Sequence, residues 1–334
     1  MPLSRTLGAL AAALGLFLTP LPTADAFGPV RNAAQQSAET SLLARFQSFA
    51  ALTDGTVGIA ILDMATGEEQ SFNGDTLFPM ASTYKVAVAG KILSMVDAGA
   101  LSLQDALPPA PAWSGKARTV DELIDLMLTH SDNEATDALV TRAGGPIAID
   151  QWVEALGVRG FSVDSDTAHL LYRAMGIGPA AGNFHRNVAA AMEADRGLRE
   201  RDARDLPNIA FAIDPRDTAT PRAMNRLLAA IRLGKALKPD STAYLLGMME
   251  RCHTGKDRLR GMLPPDARIA HKTGSLNGYG GDVGIITMPD GRMFAISVFV
   301  MKDHKGRAVR DAIMAQAARA AYDYFLAAPE RRTA

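Results

Sequence analysis

Apolar residues follow helical spacing near the start of the chain and then change to strand spacing. Across residues 31–52 the helical spacing is carried by Leu42, Leu43, Phe46 and Phe49. Residues 56–72 then predict a hairpin, because an apolar run is followed by a turn at 63–67 and a polar return strand. Pro79 and Ala81 lead into an Ala/Val-rich segment that predicts a helix ending near Gly99.

The C-terminal part repeats this mixture of patterns. Residues 100–265 have mainly helical spacing, whereas 269–274, 282–288 and 293–301 predict three strands. A Pro-Asp-Gly turn joins the last two strands, and residues 307–326 predict a closing Ala-rich helix.

Strands at both chain ends around a helical middle predict an α/β fold with one antiparallel sheet, flanked by helices, that the two ends complete together. We expect an α/β lobe formed by residues 27–99 and 266–334, and a mainly helical lobe formed by residues 100–265. The active site is expected between the two lobes.

The N-terminus has the features of a secretory signal peptide. Arg5 precedes an apolar run at residues 7–18, and Ala24-Asp25-Ala26 supplies a cleavage site flanked by small residues. We expect residues 1–26 to be removed and residues 27–334 to act in the periplasm or outside the cell. The alternative is that the apolar run is retained as a membrane anchor.

Composition excludes several classes of function. The net charge is −1 and no long charged run is present, so we expect no nucleic-acid partner and no stable attachment to an anionic membrane. Cys252 is the single cysteine, which excludes an intramolecular disulfide. The six histidines lack the close spacing of metal ligands, so we expect no metal and no cofactor. The mature protein is expected to be a monomer that acts on a small molecule.

Three short polar motifs carry the candidate chemistry. They are Ser82-Thr83-Tyr84-Lys85, Ser131-Asp132-Asn133 and Lys272-Thr273-Gly274-Ser275. Residues three apart on a helix share one face, so Lys85 is placed to take the proton that a serine nucleophile must lose. Each motif also has a structural interpretation: a capping serine with a solvated lysine, a helix N-cap, and an edge strand blunted by lysine.

In this order the three motifs resemble those of the penicillin-recognising serine enzymes, and of the class A β-lactamases in particular. The resemblance covers most of the chain after residue 30. It implies a β-lactamase-like fold, with Ser82 as the acylated nucleophile and Lys85 as its activator. It also implies that Ser131 relays a proton to the leaving nitrogen and that Asp132 holds the loop. The backbone N–H groups of Ser82 and Ser275 would form the oxyanion hole.

The same resemblance implies the substrate contacts. Asn133 would hydrogen-bond the amide side chain of the substrate, and Lys272 would supply positive potential. The hydroxyls of Thr273 and Ser275 would bind a substrate carboxylate. Gly274 would allow the strand to approach the acyl group without a Cβ in the way.

The chain departs from the class A pattern at the step that hydrolyses the acyl-enzyme. A class A β-lactamase has a Glu-x-x-Leu-Asn segment between its second and third motifs, and its glutamate activates the hydrolytic water. This chain has a longer segment there and no such sequence. Alignment sets Asp166 near the position of the glutamate, and Glu193 and Glu200 are other carboxylates in the segment. The sequence leaves the choice of base open.

Two further positions are undecided. Many relatives carry an arginine that pairs with the substrate carboxylate, and Val283 occupies that place here. Arg258, Arg260 or His271 would have to compensate. Trp113 lies where the family often has an aromatic gate, but a tryptophan in a loop is as well explained by local packing.

The sequence therefore predicts an exported serine hydrolase that opens β-lactam amides through an acyl-Ser82 intermediate. Two alternatives stay open. One is a D-Ala-D-Ala peptidase or esterase on the same fold. The other is a penicillin-binding protein that is acylated but hardly turns over.

Overall fold

A computed structural model of the chain describes residues 33–327. The predicted signal peptide, residues 1–26, lies outside the described residues. The N-terminal elements are α1 (Ala33–Ala50), β1 (Thr56–Asp63), β2 (Glu69–Phe72), β3 (Phe78–Pro79), a 3₁₀ helix (Ala81–Tyr84) and α2 (Lys85–Asp97). The predicted first helix, the hairpin and the second helix are thus confirmed.

The middle of the chain is mainly helical, as predicted. Its elements are β4 (Ala106–Leu107), β5 (Arg118–Thr119), α3 (Val120–Thr129), α4 (Asn133–Arg142), α5 (Pro146–Ala155), α6 (Thr167–Met175), α7 (Phe184–Ala194), α8 (Arg196–Ala203), α9 (Ile209–Ala212), β6 (Thr218–Ala219), α10 (Pro221–Arg232), α11 (Pro239–Glu250) and a second 3₁₀ helix (Leu259–Met262). The C-terminal elements are β7 (Arg268–Leu276), β8 (Tyr279–Thr287), β9 (Met293–Met301) and α12 (Arg307–Ala327).

Five strands form one antiparallel sheet in the order β2-β1-β9-β8-β7. Strand β1 pairs with β9 along its whole length, from Thr56 opposite Met301 to Asp63 opposite Phe294. The two chain ends therefore complete one sheet together, as the pattern of strands predicted. Strand β7 lies at one edge of the sheet and carries the third motif.

Strand β8 begins earlier than predicted. It starts at Tyr279 instead of residue 282, and it includes Gly280 and Gly281. Glycine is depleted in strands, so this part of the strand gives no strand signal in the sequence. It forms nevertheless, because these residues pair with both neighbouring strands.

Apolar side chains cover both faces of the sheet. Alternate residues of β1, including Ile59 and Ile61, pack with Phe46 of α1 and with Ile313 of α12 in one core. A second core on the other face joins α2, α3, α4 and α10 to the sheet. Helix α10 contacts both β1 and β9, so the sheet extends its packing into the helical middle of the chain. The lobe boundaries near residues 99 and 266 stay a prediction.

Asp217 joins the two ends of the long segment between the second and third motifs, and this junction is called the neck below. One oxygen of Asp217 accepts hydrogen bonds from the backbone N–H groups of Asp164 (2.8 Å) and Ser165 (2.9 Å). The other oxygen pairs with Arg173 of α6, which also pairs with Asp214 at 2.7 Å. The segment is therefore a loop with joined ends, and α6, α7, α8 and α9 lie within it. Within residues 33–327, no helix has the length and hydropathy needed to cross a membrane.

Candidate active site

Ser82 lies in a 3₁₀ helix instead of opening the following α-helix. Helix α2 starts at Lys85, three residues later. Ala81 before it has φ 45°, in the left-handed region, which is unusual for a residue with a Cβ and occurs most often at functional sites. The turn is held because Met80 donates its N–H to the Asp217 carbonyl (2.9 Å) and accepts a hydrogen bond from the Thr83 hydroxyl (2.7 Å). The residue at the neck, Asp217, thus holds the turn that precedes Ser82.

Lys85 is fully buried and points at the second motif. Its amino group donates to the Ser131 carbonyl at 2.8 Å and to Asn133 Oδ1 at 2.7 Å. Burial and the nearby Lys272 ammonium lower the pKa of Lys85 well below its usual value, so a larger fraction is neutral at neutral pH. A neutral amine can accept a proton, which is the role predicted for Lys85. Within the described residues, the Lys85 amino group makes no hydrogen bond to the Ser82 hydroxyl. Catalytic hydrogen bonds are often long in unliganded enzymes and tighten when substrate binds.

The Ser131 hydroxyl lies between two lysines. Lys272 donates to it at 2.9 Å, and the Lys85 amino group lies 3.5 Å from the same oxygen. Ser131 has φ 60°, so its backbone is also in the left-handed region. The neighbouring Asp132 caps α4 by accepting the Ala135 N–H at 2.7 Å. Within this motif, Asp132 is therefore the helix cap, while Ser131 is the residue with the predicted functional role.

Lys272 is buried on β7 and has few partners for its charge. Burial lowers its pKa to about 8, while the Cys252 and Asp282 side chains oppose the shift. At neutral pH the Lys272 side chain is therefore mostly protonated, and its role as a source of positive potential for a substrate stays a prediction. Val283, at the place of the missing family arginine, lies directly opposite Lys272 in the sheet and is buried.

Gly274 allows the first and third motifs to meet. A Cβ on this residue would lie 2.7 Å from the Met80 carbonyl oxygen and 3.1 Å from the Thr83 side chain, which is closer than packed atoms approach. The absence of a side chain at Gly274 therefore lets β7 lie against the 3₁₀ helix. The oxyanion hole is predicted at this contact between β7 and the 3₁₀ helix, from the backbone N–H groups of Ser82 and Ser275.

Arg258 is the cation that the fold brings to the third motif. It is 5% exposed, and its guanidinium donates to Ser275 Oγ at 2.7 Å and to the Gly274 carbonyl at 3.0 Å. The other two candidates are placed elsewhere. Arg260 is exposed and its contact is the Ile269 carbonyl at 3.4 Å, while His271 is buried and paired with Asp282.

A threonine pair completes this cluster. The hydroxyls of Thr273 and Thr254 lie 2.6 Å apart, and Cys252 Sγ lies 3.2 Å from the Thr254 hydroxyl. Cys252 is half-buried. The Arg258 guanidinium already pairs with Asp311 at 2.7 Å on its other side. Hydroxyl donors beside a guanidinium are groups that suit a carboxylate.

Trp113 is a packing residue in this structure. Its ring is buried and lies 5.0 Å from the ring of Phe184, and its Nε1–H donates to Asp137 at 2.8 Å. Of the two interpretations of this tryptophan, the structure favours local packing over an aromatic gate.

Asp137 is a buried carboxylate beside the site that the sequence analysis did not consider. Besides Trp113, it accepts hydrogen bonds from the backbone N–H groups of Thr167 (2.6 Å) and Ala168 (3.1 Å) at the start of α6. Burial raises its pKa to about 6 in spite of these bonds. Its position four residues after Asn133, on the same helix face, is the signal that would have identified it.

The site geometry agrees with comparisons to known proteins. A sequence model of the β-lactamase enzyme family matches residues 41–325. The chain belongs to this family. The extended-spectrum β-lactamase PER-1 of Pseudomonas aeruginosa is 27% identical over 314 residues, which cover 87% of this chain and 90% of the relative. A β-lactamase of Rhodobacter capsulatus is 30% identical over 255 residues, covering 73% and 74%.

Solved structures support the same assignment. The crystal structure of a β-lactamase from Chitinophaga pinensis DSM 2588 matches with a TM-score of 0.68 at 29% identity, covering 85% of this chain and 98% of the other. The predicted β-lactamase-like fold is thus confirmed.

The three candidate bases for hydrolysis, Asp166, Glu193 and Glu200, have different surroundings in this member of the β-lactamase family. Asp166 caps α6: its Oδ1 accepts the His169 N–H at 2.8 Å and lies 2.7 Å from the His169 ring. Glu193 and Glu200 are exposed on α7 and α8, and Glu200 pairs with Arg196. Thr167, next to Asp166, turns inward to Tyr84, whose hydroxyl lies 2.7 Å from its own.

The lowered pKa of Lys272 predicts a loss of activity at alkaline pH. Lys272 is charged below about pH 8 and neutral above it. For a substrate with a free carboxylate, kcat/KM should therefore fall as the pH rises through about 8, because the attraction between the two charges is lost. A pH profile from 6 to 10 measures this. The methyl ester of the same substrate is the control, since its smaller response isolates the charge interaction. A flat profile up to pH 9.5 for the carboxylate substrate would contradict the prediction.

Proposed function

We propose that the protein is a serine β-lactamase, a hydrolase that opens the cyclic amide of β-lactams through an acyl-Ser82 intermediate. The observation that carries this proposal is the position of the Ser131 hydroxyl between Lys85 and Lys272, next to the 3₁₀ helix of Ser82. Membership of the β-lactamase enzyme family supports it independently.

In the proposed acylation step, Ser82 Oγ attacks the lactam carbonyl carbon and transfers its proton to the neutral Lys85 amine. The carbonyl oxygen becomes an oxyanion that the backbone N–H groups of Ser82 and Ser275 stabilise. The C–N bond then breaks, and a proton passes from Lys85 through the Ser131 hydroxyl to the leaving nitrogen. The buried lysine is suited to both proton transfers because its lowered pKa makes the neutral amine more accessible than in an ordinary lysine.

Substrate binding would use both sides of the site. Arg258, with the hydroxyls of Thr273 and Ser275, would hold the carboxylate that β-lactam nuclei carry. Asn133 would hydrogen-bond the amide side chain of the substrate. Arg258 thereby replaces the arginine that many relatives have where this chain has Val283.

Deacylation is proposed to be the slow step. It needs a base within hydrogen-bond reach of a water beside the acyl carbonyl. Asp166 is the proposed base by alignment, but its side chain is shorter than glutamate and is partly engaged in capping α6. A small misplacement of a catalytic group can cost roughly 100-fold in rate.

The second candidate function is a penicillin-binding protein that is acylated with little turnover. The inward position of Thr167, a residue that cannot act as a carboxylate base, favours this candidate. A D-Ala-D-Ala peptidase or esterase uses the same acylation machinery and differs in the acyl donor that it accepts.

We also propose that the protein is exported. Residues 1–26 would direct the protein out of the cytoplasm and be removed, leaving a monomer that works in the periplasm or outside the cell. N-terminal sequencing of the exported protein checks the cleavage after Ala26.

The nucleophile is tested with a chromogenic cephalosporin in stopped flow. The wild-type protein should show a burst of about one equivalent and then a slower steady state, because acylation outruns deacylation. Ser82→Ala should lose both phases, as well as covalent labelling by a fluorescent penicillin. Ser94→Ala is the matched control, because Ser94 lies in α2 and its hydroxyl bonds to the Lys91 carbonyl. Labelling of the Ser82→Ala protein at the wild-type rate would refute the assignment.

The carboxylate site is tested by removing one of two nearby arginines. Arg258→Ala should lower kcat/KM for a carboxylate substrate by about 10- to 100-fold, which corresponds to the loss of a charge-assisted hydrogen bond of about 1.5–3 kcal/mol. The methyl ester should lose much less. Arg260→Ala should leave both rates near the wild-type values, since Arg260 is exposed and faces the Ile269 carbonyl. Equal losses for acid and ester would show that Arg258 acts on structure alone.

The deacylation base is tested with Asp166→Asn. If Asp166 is the base, the burst should survive and the steady-state rate should fall by about 100-fold or more. Asparagine also caps helices, so the change preserves the start of α6. Asp195→Asn is the control, because Asp195 caps α8 in the same way. Survival of both phases in Asp166→Asn would exclude this residue, and Glu193→Gln would be tested next.

A further inference from the structure

An open cleft lies on the helical side of the sheet, at the end of the strands that is farther from the third motif. It is bounded by the C-terminal end of α10, by one face of α11 and by β7, β8 and the start of β9, and its volume is about 690 Å³. Small-molecule sites measure roughly 300–1,000 Å³, so the cleft is large enough for a ligand. Within the described residues, no member of the three motifs lines it.

The walls of the cleft are mainly apolar. Ala270 and Ile285 line it from the sheet, where they lie directly opposite each other in β7 and β8 and are buried. Leu246 of α11 and Met293 at the start of β9 are partly buried beside this core. Leu233, just after α10, is 50% exposed. An apolar ligand body that covered these side chains would remove their surface from water, which is favourable.

Arg232 gives the cleft a positive charge that is available to a ligand. Its Nε–H donates to Met293 Sδ at 3.3 Å, and a thioether sulfur is a weak acceptor. Among the residues that the structure describes, no carboxylate pairs with this guanidinium. The positive charge also suits the last turn of α10, in which Arg232 lies. That interaction leaves the terminal N–H groups of the side chain able to donate to an anion.

The other two charged residues of the cleft neutralise each other. Arg268 of β7 donates to both carboxylate oxygens of Glu250, at 2.7 and 2.9 Å. The pair is formed across the rim, between β7 and the last residue of α11. The net charge of the cleft is therefore positive and belongs to Arg232, so an anion suits it better than a cation.

We propose that this cleft is a second binding site, for a small organic anion with an apolar body, such as a medium-chain fatty acid. The apolar body lies against Ala270, Ile285 and Leu246, and the anionic head accepts charge-assisted hydrogen bonds from Arg232. The site is separate from Ser82, and the proposal does not depend on the proposed β-lactamase activity.

The charge of the site is tested by titrating the full-length protein with anilinonaphthalene sulfonate, an apolar anion that fluoresces when it leaves water. Binding should saturate at one equivalent. Decanoate should displace the dye, whereas decylamine, a cation with the same chain, should not. Arg232→Gln should weaken dye binding about tenfold, because one charge-assisted hydrogen bond is lost. Arg226→Gln is the matched control, since the exposed Arg226 lies on the same helix and pairs with Glu69.

The location of the site is tested by filling the cleft with Gly247→Leu. Gly247 lies in α11 and lines the cleft, and a Cβ on it would meet no heavy atom within 4 Å. Leucine is a better helix former than glycine, so the melting temperature should not fall. Dye binding should weaken at least about tenfold, because the leucine side chain takes the place of the ligand. Gly178→Leu is the control, since Gly178 also faces open space but lies outside the cleft.

Four outcomes would overturn the proposal: dye binding that does not saturate, displacement by decylamine as strong as by decanoate, wild-type affinity in Gly247→Leu, or wild-type affinity in Arg232→Gln. If Arg232→Gln folds poorly, the comparison of decanoate with decylamine still decides the charge. Treatment with benzylpenicillin before the titration should leave dye binding unchanged. Loss of dye binding after this treatment would place the dye in the active site and also overturn the proposal.

Discussion

Two amines, Lys85 and Lys272, are buried on either side of the Ser131 hydroxyl, and the arrangement of the site depends on their burial. Burying an ion costs several kcal/mol, and two like charges buried together also repel each other, so the total cost falls when one of them becomes neutral. The low pKa of Lys85 is the physical solution: the site holds one ammonium and a second amine that can be neutral. Two lysines can thus serve as the proposed base and the proposed cation, because the charge of Lys272 lowers the pKa of Lys85.

This constraint requires that three distant parts of the chain meet within a few ångströms. Gly274 lets strand β7 contact the 3₁₀ helix, and the backbone is left-handed at Ala81, next to Ser82, and at Ser131. Unfavourable backbone conformations of this kind persist only where the surrounding structure over-determines them. Here the surrounding structure is the five-stranded sheet and the neck at Asp217.

The segment between the second and third motifs distinguishes this chain within its family. The inward-facing residue at the start of α6 is Thr167, and the buried carboxylate that it contacts is Asp137. Asp137 receives three N–H donors from Trp113, Thr167 and Ala168, so it orients the start of α6. The same segment then continues through Asp205, which pairs with the buried Arg310 of α12.

The sequence alone determined the fold class, the order of the strands in the chain and the residues of the three motifs, because these depend on local periodicity and on motif spacing. Strand β8 extends through Gly280 and Gly281 because these residues pair on both sides, which overrides the weak strand propensity of glycine. Only the tertiary structure showed that Arg258, and not Arg260 or His271, contacts Ser275, and only it revealed the buried carboxylate of Asp137. These choices depend on which side chains converge from elements far apart in sequence, and on the burial that shifts their pKa values. Spacing along the chain carries no information about either.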